Sequence, residues 1–354
     1  MKTISRVIFS AILLVLTGLL LAIGAAAPAP MFDYYQEFSQ KALSVLSGLT
    51  GVVPFAVWEV LALLLILWAV YTLIECLRRG RVLRWLSGVL VAVCTLVLLF
   101  VALWGLNHFG PTVGERMGLE TRPYSVDEVY NAALWYAEQA NTLAAQMPTD
   151  SQNVTQFSDF STLAKSAGKG YTVLSRQYDC FTEAGATVKK LTAWPLYSYS
   201  GITGIFIPFT GESNVNPDTY AASLPFTMCH ELAHRQGYAA EDDANFCAYL
   251  ACMASDNVEF RYSGAYSAFV YCYNALHSAD RDLAAQVWET ASEQVRADCA
   301  AANTHYAKYE GKVQEVAQEA NDAYLKAFDQ EDGVQSYGAV ADYLIALYLA
   351  QKTA

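Results

Sequence analysis

Three long apolar runs in the first third of the chain limit what it can become: residues 7–27 and 85–106 carry no charge, and 51–74 carries one, Glu59. Each has about the 20 residues that a helix needs to cross roughly 30 Å of hydrocarbon. Soluble domains average about 25% charged residues. This chain has 16%, with 54% hydrophobic, and the apolar excess sits in these runs. The sequence therefore predicts three transmembrane helices in a membrane domain of residues 1–107, followed by a second domain of residues 108–354.

Charge orients the spans. Lys2 and Arg6 precede the first run, and Arg78, Arg79, Arg81 and Arg84 lie between the second and third. The connection 28–50, read as a loop, sets Lys41 against Asp33 and Glu37. The positive-inside rule places the N-terminus and the arginine loop in the cytoplasm and the large domain outside it. A signal peptide ending at Ala25, Ala26 and Ala27 is the competing reading of the first run; its apolar stretch exceeds the usual 7–15 residues, and the large domain is outside either way. Glu59, near the outer end of its span, is expected among headgroups or paired with a neighbouring helix.

Residues 108–354 hold 15 basic and 30 acidic residues. That net −15 disfavours nucleic acid and anionic lipid surfaces as partners. The pattern is mostly helical. Ser125 and Glu128 form a capping box for a helix from 126 to about 146, and a weaker helix is expected over 151–167. Residues 197–209 have strand character, and 210–217 read as a loop. Helices follow over 225–236, closed by Gly237, then 241–256, 258–277, 279–302, 304–329 and 336–351, with Asp332-Gly333 as the last turn. Six of the eight cysteines fall in this domain; none forms a CxxC pair, and their helical apolar settings suggest buried thiols.

The chemistry is concentrated at 226–249, FTMCHELAHRQGYAAEDDANFCAY. His230 and His234 are four apart, so a helix puts both imidazoles on one face, one turn apart, able to share a metal ion. Glu231 lies beside them as a general base towards water. This is the HExxH arrangement of zinc peptidases, and it makes Zn2+ the expected cofactor. A catalytic site needs a third protein ligand. The metzincin position, 240, is Ala240. His108, His277 and His305 fall on distant segments. Glu241, Asp242 and Asp243 open the next helix, where a turn at Gly237 returns them towards the histidines. Glu241 is the preferred ligand and Asp243 the alternative, against the plain reading that such acids complement a helix dipole. Asn245, one turn after Glu241, is placed to orient a ligating His. Glu212, Tyr262 and Tyr337 are weaker candidates for lining a cleft, and residues 201–208 for the edge strand that precedes the motif in zincins.

HELAH followed by EDDANFCAY resembles gluzincin-type peptidases, and the Glu-x-x-Ala-Asn block is similar to that of the ImmA/IrrE-type metallopeptidases. The membrane layout resembles the CAAX prenyl-protein, membrane heat-shock and β-lactam-sensing peptidases. Over nearly its whole length, with FTGE at 209–212, RYSGAY at 261–266 and GVQSYGAV at 333–340, the chain resembles a family of uncharacterised bacterial membrane proteins with three N-terminal transmembrane helices and an extracytoplasmic HExxH domain. The resemblance implies His230, His234 and Glu241 as ligands and Glu231 as the base. The turn before Glu241 is shorter than in the related peptidases, and Asn245 stands where some have Asp.

The expected fold is mainly α: three transmembrane helices, then a mostly helical, zincin-like α+β domain with a small sheet. The expected function is a multi-pass cell-membrane zinc metallopeptidase hydrolysing peptide bonds outside the cytoplasm, with a peptide or protein substrate and the lipid bilayer as partners. The alternatives are a zinc hydrolase of cell-wall peptide and a non-catalytic sensor or assembly protein. No Walker loop, dinucleotide fingerprint or GxSxG elbow is present, and FTGES lacks the ending of a phosphate loop.

Overall fold

The computed structural model describes residues 3–27, 29–119, 121–184, 187–327 and 337–353. The chain divides into two units: Met1–Gly110 with Ile207–Glu212, and Pro111–Phe206 with Ser213–Ala354.

The first unit is built of helices α1 (Thr3–Ala26), α2 (Ala29–Thr50), α3 (Val57–Arg78) and α4 (Val82–Leu103), followed by a 3-10 turn, Gly105–Phe109. Three of them, α1, α3 and α4, are long and apolar enough to cross a membrane. The second begins at Val57 rather than 51, because Pro54 and the residues around it hold the chain out of helix. This puts Glu59 in the first turn of α3, where a carboxylate complements the helix dipole. Helices α1 and α4 run parallel. At one end Arg6 Nη1 donates to the Arg84 carbonyl at 2.8 Å; at the other, a Cβ at Gly24 would meet Phe109 and Leu106. Ser10, Leu13, Thr17 and Gly24 of α1 and Ser87, Cys94 and Val101 of α4 are the buried positions. Ser10, Thr17, Gly24, Ser87 and Cys94 are small, which lets the two helices pack closely.

The stretch 28–50, expected as a loop, is helical: α2 buries Phe32, Ser39, Leu43 and Ser47. These recur at spacings of seven, four and four, a single helical face whose serines disguised it as a polar connection. Ser39 Oγ donates to the Leu103 carbonyl at 2.7 Å and accepts from Asn107 Nδ2 at 3.2 Å.

The second unit contains α5 (Val113–Met117), α6 (Val126–Ala144), α7 (Phe160–Ser166), α8 (Lys169–Leu174), β1 (Lys189–Lys190), α9 (Trp194–Tyr199), strand β2 (Gly204–Ile207, its last residue in the first unit), strand β3 (Glu212–Val215, its first residue in the first unit), α10 (Leu224–Arg235), α11 (Glu241–Ala254), α12 (Val258–Ala279), α13 (Arg281–Thr290), α14 (Glu293–Tyr306), α15 (Lys312–Ala327) and α16 (Tyr337–Thr353). The sheet order is β1-β3-β2, with β1 and β3 parallel in the register Lys189↔Asn214 and Lys190↔Val215. The fold is mainly α with a small sheet. The Ser125–Glu128 capping box opens α6 as expected. The strand signal over 197–209 divides into α9 and β2, and the expected loop at 210–217 holds β3. The expected helix 279–302 is broken at Ala291, where Ser292 caps α14. The Asp332-Gly333 turn lies outside the described residues.

The core is rich in tyrosines whose hydroxyls are satisfied. Tyr136 donates to the Leu344 carbonyl and Tyr171 to that of Cys229, at 2.8 and 2.9 Å. All eight cysteines are free thiols, and Cys229, Cys247, Cys252 and Cys272 are buried. Helix α11 lies centrally, packed on α8, α10, α12 and α16. It lies tight against α8, where a Cβ at Gly170 would stand 1.8 Å from the Ala251 carbonyl oxygen. Gly170→Ala is therefore expected to destabilise the chain by about 3 kcal/mol, seen as a lowered thermal midpoint in detergent. Gly338→Ala, on α16 with open space around it, should leave the midpoint unchanged or raise it slightly.

Candidate metal centre

Two helices and one turn build the site. Pro225 near the start of α10 suits a first helical turn that needs no amide donor. Gly237, at φ +89, ends the helix in the left-handed region that glycine enters freely. The reversal brings the Tyr238 carbonyl back to His234, whose Nδ1 lies 2.8 Å from it. It also starts α11 at Glu241, with α11 packed along α10.

His230 and His234 point the same way. His230 Nδ1 is 2.9 Å from Asn245 Oδ1. Both Nδ1 atoms therefore face oxygen acceptors and carry the proton, which leaves each Nε2 as the free ligand atom. The two Nε2 atoms are 3.0 Å apart. Glu241 closes the group, with Oε2 3.3 Å from His230 Nε2 and Oε1 3.6 Å from His234 Nε2. One ligand atom from each of the three lies within 4.8 Å of the others, the one such His, Cys, Asp or Glu group among the described residues. This is a group that could hold a metal ion.

The other sequence candidates go elsewhere. Asp243 is buried on the far side of α11, accepting from the Tyr343 hydroxyl at 3.1 Å; burial pushes its carboxyl up to about 7, against the opposing bond from the Val113 amide. Glu212 binds the start of α3 through Val57 N and Trp58 N, both at 2.9 Å. The Tyr262 hydroxyl donates to Asp298, a fully buried carboxylate that also accepts from Thr155 and Tyr220. The side chain of Tyr337 lies outside the described residues. His305 is 3.6 Å from Asp218. Two contributors were missed. Tyr238 acts through its carbonyl, so only Gly237 hinted at it. Gly204 lies against the carboxylate of Glu231: a Cβ there would come within 2.2 Å of Glu231 Oε1.

Glu231 is buried, and among the described residues its Oε2 has no hydrogen-bond partner. Burial, reinforced by Glu241 and opposed by His230, pushes its carboxyl up to about 8. A buried acceptor left alone beside two histidines and a carboxylate fits a site that receives a cation and water. A cation there would return Glu231 to its ionised form.

Beyond the two Nδ1 protons, the pair holds one more, on His230. Burial lowers His230, but its bond to Glu241 and the surrounding acids outweigh this and lift it to about 9. Burial and the His230 charge push His234 down to about 4. His230 lies above its unfolded value, so its stabilising contribution is complete below about pH 6.5 and is lost as pH rises through about 9. The contribution of neutral His234 has the opposite sign: present above about 6.5 and lost as pH falls through about 4. A metal ion must displace the His230 proton. Zinc affinity of the metal-free chain is accordingly expected to rise about tenfold per unit between roughly pH 6.5 and 8.5, with at least one proton released per ion, measured by competition titration. A pH-independent affinity would contradict the proposed ligand set.

Residues 34–345 match the family model described as "Protein of unknown function (DUF3810)". The chain belongs to this family. The match takes in most of α2, all of α3 and α4, and the His230, His234 and Glu241 group, while α1 precedes it. No curated protein and no solved structure matches the chain.

Proposed function

We propose that this DUF3810 protein is a membrane-anchored zinc metallopeptidase whose site, in the second unit, faces outside the cytoplasm. One observation carries the reading: two imidazoles with both Nδ1 atoms committed to oxygen acceptors turn their Nε2 atoms onto the Glu241 carboxylate, and the residue after His230 is a buried glutamate whose Oε2 has no hydrogen-bond partner among the described residues. A two-His, one-carboxylate set suits zinc. Zinc held there supplies Lewis acidity, polarising a carbonyl and acidifying a water.

The chain's own groups do the rest. His230, His234 and Glu241 hold the ion, while Asn245 and the Tyr238 carbonyl fix the imidazole rings. Glu231 takes a proton from water at Oε2 and returns it to the departing amine, as a base and then an acid. Gly204 leaves room for that carboxylate by lacking a side chain. The extracytoplasmic placement is supported by the basic residues: Arg6 and Arg84 meet at one end of α1 and α4, the end that the positive-inside rule assigns to the cytoplasm.

The test is peptide-library hydrolysis by the full chain in detergent. Cleavage that is lost on chelation and regained with zinc is expected. A folded, zinc-loaded protein that cleaves no peptide would overturn the peptidase reading in favour of a zinc-binding sensor or assembly role.

A further inference from the structure

We propose that Glu212 and Ser213 form a positioning joint between the start of α3 and Glu231; the inference rests on the reading of Glu231 as general base. Ala56, at the N-cap of α3, offers no side-chain acceptor. The first amides of a helix need acceptors from elsewhere. Here both come from one buried carboxylate: Val57 N donates to Glu212 Oε1 and Trp58 N to Oε2, each at 2.9 Å. Such charge-assisted bonds are about twice as strong as neutral ones.

The rest of the Ile207–Glu212 loop is held within the same unit. Thr50 Oγ1 donates to the Thr210 carbonyl at 3.1 Å. Gly211, at φ +65, lies so close to α2 that a Cβ would stand 2.6 Å from the Leu43 carbonyl oxygen and 2.7 Å from Ser47 N. The loop therefore has little freedom of its own.

The next residue in the chain begins the other half of the joint. Ser213 Oγ donates to the Glu231 carbonyl at 2.7 Å, inside the second unit. Gly204, just before the loop, lies against the Glu231 carboxylate. Residues on both sides of the clamped loop thus touch the candidate base, one at its backbone and one at its side chain. A single peptide bond separates the residue that fixes α3 from the residue that fixes Glu231. A shift in the first turn of an apolar, membrane-length helix reaches Glu231 through that bond. Ser213 and Glu212 are positioning residues, since their side chains bond the Glu231 carbonyl and the first amides of α3.

The test compares the full chain in detergent with Glu212→Ala, Glu212→Gln and Ser213→Ala by hydrogen exchange and steady-state kinetics. Glu212→Ala is expected to speed exchange at Val57 and Trp58, and also along α10, by roughly tenfold. Its kcat should fall between about tenfold and a hundredfold, with KM and zinc content unchanged. Glu212→Gln, which keeps an oxygen acceptor, should fall between it and wild type. Ser213→Ala should loosen α10 and leave Val57 and Trp58 protected. Faster exchange in Glu212→Ala confined to Val57 and Trp58, with α10 as in wild type, would overturn the joint. If wild type cleaves no peptide, the peptidase reading fails while the exchange comparison still decides the joint.

Discussion

Replacing Glu231 with Gln is expected to lower peptide turnover by about 10²- to 10⁴-fold, the usual contribution of a positioned general acid–base group, while zinc stays bound. Gln matches Glu in shape, so Gly204 still accommodates it, but its amide takes no proton from water. Glu231 lies outside the converging group of His230, His234 and Glu241, which is why metal content should survive. The decisive comparison is kcat and zinc per chain on the same preparation. Loss of zinc in Glu231→Gln would make Glu231 part of the metal-holding set rather than the base. Full turnover would remove it from the chemistry.

Glu241→Ala is expected to weaken zinc binding by more than about 100-fold, beyond the range that changes to supporting residues produce. The variant keeps two imidazoles but no carboxylate, and two ligands do not hold catalytic zinc. Asp243→Ala is the control. Asp243 is two residues away and also carries a carboxyl group, but it is bonded to Tyr343 and buried away from the histidines, so its loss should cost stability and leave zinc affinity within a few-fold. Competition against a chelator of known affinity separates the two variants. Equal losses would mean that neither acid is the specific ligand.

Much of the fold was legible where pattern and period agree. Apolar runs of helical length marked α1, α3 and α4, and a Ser–Glu capping box marked the first residue of α6. Helix α2 was not legible, because its buried face alternates Phe32 and Leu43 with Ser39 and Ser47, and serines at a helix interface look like loop residues until their partners are known. Strand β3 was hidden for a similar reason: Glu212, Ser213 and Asn214 are polar, yet each is buried with its side chain bonded to another element.

Within the candidate site, the four-residue spacing placed His230 and His234 together, and the short turn at Gly237 brought Glu241 to them. Periodicity alone left Glu241 and Asp243 as rivals. The structure separates them because neighbours about 200° apart on a helix cannot face the same point, and Tyr343 occupies the Asp243 side. Asn245 was legible as the residue one turn beyond Glu241. Gly204 and the Tyr238 carbonyl were not, since one acts by lacking a side chain and the other through a group every residue carries.

Elemental analysis of the purified full chain is the most direct test of zinc held by His230, His234 and Glu241. One zinc per chain is expected, removed by chelation and restored on adding zinc back. A well-folded chain that contains no zinc and takes none up would contradict it.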